Sequence, residues 1–129
     1  MNHITMSERI ITMSEENKQM LWELLVPTVR PNTDGEKFFT LRYHRVWDQK
    51  VREITRGLTV MPPTKGQWIS PSGTLFVERM IPVRIIATRA QIEEIMDMTL
   101  AFYEQQAILC YRISDEVFIR TAKGVKNAS

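Results

Sequence analysis

A chain of 129 residues, 43% hydrophobic and 25% charged, has the composition of a globular protein and the length of one domain, which buries about two-thirds of its unfolded surface. A formal net charge of +2 and a single cysteine exclude a strongly basic nucleic-acid binder and an internal disulfide framework, and make a reducing compartment the simplest reading. No apolar run approaches the ~20 residues of a membrane span, no secretory signal pattern opens the chain, and His3 and His44 lie apart from any Cys/His cluster that would mark a metal site.

Residues 1–35 read as a leader, an N-terminal helix and a connector. Ser14 has N-cap character, with Glu15 and Glu16 in the favoured acidic first turn. Met20, Leu21, Leu24 and Leu25 then recur at helical spacing as far as Pro27. Such a helix packs on the domain or serves as a contact for another chain.

Residues 36–121 read as the main domain. Lys37 to His44 alternates, placing Phe39, Leu41 and Tyr43 on one face of a first strand. Trp47, Val51, Ile54 and Leu58 step by three or four, the pattern of an amphipathic helix that stops at Gly57. Thr59 to Met61 is a short strand ended by Pro62-Pro63. Gly66 to Ile69 and Thr74 to Ala87 form the arms of a hairpin that reverses at Pro71-Ser72-Gly73. Pro82 has no N–H for a ladder, so the long arm divides into 74–81, projecting from the sheet, and 83–87, within it.

Thr88 and Gln91 have capping-box spacing, and Ile92, Ile95, Met96, Leu100 and Tyr103 supply an apolar stripe to the second helix. Ala107–Ile113 and Val117–Arg120 form a hairpin around Ser114-Asp115, with Cys110 buried and inert on its first strand. Residues 122–129 are a polar tail. The order is that of an α+β, ferredoxin-like βαββαβ sandwich with an extra C-terminal hairpin strand and an N-terminal helix.

Two aromatic–carboxylate pairs stand out. Trp68 and Glu78 flank the hairpin turn, which brings them near each other, while Tyr103 and Glu104 close the second helix. Each has a plainer explanation. Glu78 alternates with Phe76 and Met80 as a solvated strand residue would, Trp68 and Tyr103 suit a core, and Glu104 suits a surface. Glu104 nevertheless lies at a helix end whose dipole disfavours an anion.

At Gly66-Gln67-Trp68, Glu78, Val83-Arg84, Tyr103-Glu104-Gln105 and Ile108-Leu109-Cys110-Tyr111 the chain resembles the phage-encoded S-adenosylmethionine (SAM) lyases, formerly called SAM hydrolases, over residues 47–124. Trp68 stands where that family's pattern has tyrosine, keeping the flat ring and losing the hydroxyl. The resemblance implies a homotrimer with sites between subunits, located in a host cytoplasm. It implies cleavage of SAM to methylthioadenosine and homoserine lactone without metal or cofactor, which serves a phage as an anti-restriction activity. It makes Glu78 and Trp68 the catalytic pair and Glu104, Tyr103 and Gln67 substrate-binding residues.

Two other functions fit the same residues. A non-enzymatic phage protein would bind and inhibit a host enzyme, using its apolar N-terminal segment and eight methionines as an adaptable surface. An RNA binder would stack bases on Phe39, Tyr43 and Trp68, although the chain has no RNP1-like run.

Overall fold

Met20, Trp22, Leu24 and Val26 are all buried, a period of two that only an extended strand produces. The computed structural model of the protein describes residues 16–31 and 37–123. Met20–Pro27 is strand β1, where the sequence pattern predicted a helix. The segment is apolar at nearly every position, so helical and strand periods both fit it. Burial of Trp22 and Val26 decides between them. Ser14 and Glu15 lie outside the described residues.

The predicted strand from Lys37 is also replaced. Only Phe38 pairs, in an isolated bridge to Val29, and Leu41–Thr55 is helix α1. Thr40 explains the early start, because its hydroxyl accepts from the Tyr43 N–H at 3.1 Å, an N-cap. The left-handed residue that ends α1 is Arg56 (φ 70°), one before the expected Gly57. Strands β2 (Thr59–Val60), β3 (Thr64–Ile69) and β4 (Leu75–Ala87) follow. Helix α2 spans Arg89–Phe102 behind the capping box expected at Thr88 and Gln91, and Cys110–Ser114 is β5.

The sheet runs β2-β4-β1-β5, all antiparallel, with β3 continuing β2 along the same edge of β4. Val60 opposes Val83 and Thr64 opposes Met80, so Met61, Pro62 and Pro63 face only Ile81 and Pro82. That extra residue is a bulge, and it makes β2 and β3 one interrupted strand. β4 is not divided at Pro82. The Pro82 carbonyl accepts from the Met61 N–H at 2.9 Å, so its missing donor faces the bulge, where no ladder bond is lost. Val117–Arg120 forms no strand, so the expected extra C-terminal strand is absent among the described residues. Ser114 Oγ instead accepts from the Glu116 N–H at 3.1 Å and turns the chain off the edge.

Both helices cover one face of this sheet, the ferredoxin-like α+β arrangement. Beneath them lie Trp22, Leu24, Val83, Ile85, Trp47, Val51, Ile92 and Ile95, all buried. The indole N–H of Trp22 donates to the Ala87 carbonyl and that of Trp47 to Thr99 Oγ1, each at 2.9 Å, so the large rings bury their polar atoms satisfied. Among the described residues no helix is long and apolar enough to cross a membrane.

Candidate functional site

β3 and the first half of β4 extend past the end of β1 as a two-stranded ribbon. Its register pairs Gly66 with Glu78, Gln67 with Val77 and Trp68 with Phe76. Alternation therefore puts Trp68, Phe76, Glu78 and Gly66 on one face, with Trp68 and Glu78 as diagonal neighbours. Counting back by twos from the buried Val83, Ile85 and Ala87 assigns that face to the helix-free side of the sheet. The Trp68 and Phe76 rings stack 4.6 Å apart at 15°, yet Trp68 remains 49% exposed. The Met80 methyl is seated over Gly66 on this face, where a Cβ would lie 2.6 Å from Met80 Cε. The turn thus brings Trp68 and Glu78 together, as expected. Gln67 points to the opposite face, so it does not join them within one chain.

Tyr103 lies elsewhere. It is fully buried at the end of α2, among Phe39, Tyr43, His44, Trp47 and Phe102. Its hydroxyl is 2.6 Å from His44 Nδ1, and burial first, then nearby Asp48 and Tyr43, push its pKa up, so it is a phenol rather than a phenolate. His44 Nδ1 and that phenol share this one hydrogen bond. Burial lowers the His44 pKa against the opposing pull of Asp48. Burial likewise raises that of Asp48 against Arg52 and His44. The Tyr43 hydroxyl donates to the Phe102 carbonyl, and the Arg30 guanidinium lies over Phe39 and Tyr43 at 4.8 and 5.3 Å. The cluster locks α1 to the end of α2.

Glu104 is exposed and left-handed, with φ 55°, a conformation few non-glycine residues adopt. Among the described residues no hydrogen bond, ion pair or ring contact joins it to Trp68 or Glu78. Burial pushes the Cys110 thiol up to about 11, so at neutral pH it is not a nucleophile.

A third group was not foreseen. On the helix-free face β1 pairs Glu23 with Arg84 of β4 and with Tyr111 of β5. Glu23 is only 8% exposed. Its Oε1 takes Arg84 Nε at 3.2 Å, and Oε2 accepts from the Tyr111 hydroxyl. A carboxylate held by two donors from two neighbouring strands is a fixed anion on the helix-free sheet face. Reading Met20–Pro27 as a strand would have exposed it, because Glu23 then becomes the one acid among outward-facing residues. Among the described residues no three His, Cys, Asp or Glu side chains converge as a metal site would require.

The class defined by these features is a ferredoxin-like α+β domain bearing an exposed aromatic–acid patch. Solved structures share that fold. CutA1 from Oryza sativa superposes with a TM-score of 0.56 at 8% identity, covering 85% of this chain and 87% of its own. CutA from Archaeoglobus fulgidus gives 0.54 at 11% identity over 81% and 88%. A phage SAM lyase in complex with S-methyl-5'-thioadenosine gives 0.54 at 12% identity over 85% and 95%. At these identities the likeness shows the fold alone. No family model matches the chain, and no curated protein matches its sequence.

Proposed function

We propose that the chain is a SAM lyase of phage, cleaving SAM to methylthioadenosine and homoserine lactone. The observation that carries the reading is the patch where Trp68, stacked on Phe76, shares a face with Glu78 and with the Met80 methyl over Gly66. The fold it shares with a phage SAM lyase adds support.

In this reaction an oxygen of the substrate's own carboxylate forms a bond to its γ-carbon. The bond from that carbon to sulfur breaks, and the pair leaves on sulfur as a neutral thioether. Nucleophile and leaving group both belong to SAM, so the protein's task is to fold the substrate. Holding the carboxylate in line supplies ~7–11 kcal/mol of the barrier. Carboxylate and sulfonium neutralise each other, so a water-poor site disfavours the reactant more than the transition state. A carboxylate beside the sulfonium would work against catalysis, since at 4 Å and an effective dielectric of 20 it would hold the reactant by ~4 kcal/mol. Glu78 therefore grips the α-ammonium. Trp68 stacks on adenine or faces the sulfonium, a contact of ~0.5–2 kcal/mol.

One chain leaves this patch open to water, so the reading includes assembly, in keeping with the homotrimer that the resemblance implies. A neighbouring copy covers the ribbon and brings Gln67 or Glu104 to the substrate, while Tyr103 acts from the core by holding the end of α2. Incubating the purified protein with SAM and separating the products tests the reading. Methylthioadenosine and homoserine lactone in equal amounts support it, and intact SAM contradicts it.

A further inference from the structure

One flank of α2, at the margin of its apolar stripe, carries an acidic-rimmed apolar groove. Glu93, Met96, Asp97 and Leu100 form one stripe at helical spacing, and Ala107 and Ile108 on the following segment make the facing wall, enclosing about 520 Å³. Both carboxylates are exposed. Arg89 pairs with Glu93 at 3.9 Å with both side chains exposed, so this pair offsets little of the rim's charge. Beyond β5 the chain presents the opposite chemistry. Phe118 and Ile119 are 81% and 72% exposed, the two most uncovered large apolar residues among those described. Arg120 and Lys123 follow them, also exposed.

We propose that the segment 117–123 of one copy docks in the α2 groove of the next. Phe118 and Ile119 lie on the floor made by Met96, Leu100 and Ile108, and Arg120 and Lys123 pair with Glu93 and Asp97. The two acids lie about 6 Å apart along the helix at 1.5 Å rise per residue, within reach of two long basic side chains three residues apart. The groove does not receive its own chain's segment, because Phe118 stands free in the same molecule that holds the groove open. Donor and acceptor surfaces differ, so the contact is head-to-tail, the kind that builds rings where its rotation closes and filaments where it does not. It rests on the assembly proposed above but not on the lyase chemistry, and it uses neither the ribbon nor the helix-free face.

Sedimentation of the full chain across a concentration series tests it, with circular dichroism confirming the fold of each variant. The acid reversal Glu93→Lys/Asp97→Lys and the basic reversal Arg120→Glu/Lys123→Glu are each expected to weaken association by about tenfold or more. Combining all four restores it. Phe118→Ala weakens it by a similar factor, and that factor is the same at low and at high salt. An oligomer that survives both reversals unchanged, or a fourfold variant no tighter than either pair, overturns the groove contact and leaves the assembly standing. A wild-type chain that stays monomeric overturns both.

Discussion

Trp47 and Trp68 lie in regions of opposite character. Trp47 is 1% exposed, is hydrogen-bonded to Thr99 and packs between two helices and the sheet. Trp68 is 49% exposed on a two-stranded ribbon, where Ile69, Leu75, Phe76 and Val77 are exposed as well. Two strands alone are marginal in water, and apolar side chains left exposed on both faces add little to the stability of a single chain. The helix-covered sheet therefore holds the core of the fold, and the ribbon stands outside it with its apolar side chains exposed.

The largest expected effect separates the two tryptophans. Trp47→Ala should cost ~3–5 kcal/mol in urea unfolding, through lost burial and the cavity left behind. Trp68→Ala, unfolded under dilute conditions, should cost only ~0.5–1.5 kcal/mol, the scale of its stack on Phe76, while lowering SAM turnover by about tenfold, the value of one ring contact. Equal losses of stability would erase the distinction between the regions.

That distinction was only partly legible in the sequence. The hairpin around Pro71-Ser72-Gly73, the capping box at Thr88 and the stripe of α2 are local signals, and all three stand in the structure. Met20–Pro27 carries no local signal, because its apolar residues satisfy two periods at once. Only the pairing of β1 between β4 and β5 selects the strand, and with it the setting of Glu23. Lys37 to His44 misled in the other way, since alternating Phe39, Leu41 and Tyr43 mimicked a strand while Thr40 capped a helix. The Trp68–Glu78 juxtaposition followed from the turn, whereas the burial of Tyr103 depended on the whole aromatic cluster.

A middle-sized effect concerns the stable region. His44 has its pKa lowered by burial from 6.5, so the folded chain resists a proton that the unfolded chain accepts. Its contribution is complete above pH 6.5 and is lost as pH falls through that value toward the lower folded-state pKa. Asp48, raised from 3.8, has the opposite sign, its folded form gaining relative stability as pH falls toward 3.8. Unfolding free energies should therefore decline as pH drops from 7 into the window just below 6.5, and His44→Gln should flatten that decline. An unchanged slope in the variant would mean that burial does not disfavour the charged form of His44.

The smallest effect belongs to the ribbon. Gly66→Ala meets only the mobile end of Met80, 2.6 Å away, so the methionine swings aside and stability changes by under ~1 kcal/mol. A larger loss would mean that the ribbon is packed more firmly than its exposure indicates.

The central claim, that Glu78 grips a self-reacting substrate, is tested most directly by following methylthioadenosine release from SAM by wild type and Glu78→Gln side by side. The account predicts product from the wild type and a loss of about 10²-fold or more in the variant, the scale on which one charged substrate contact acts, with unfolding curves superimposed. Wild-type turnover retained by Glu78→Gln would contradict it.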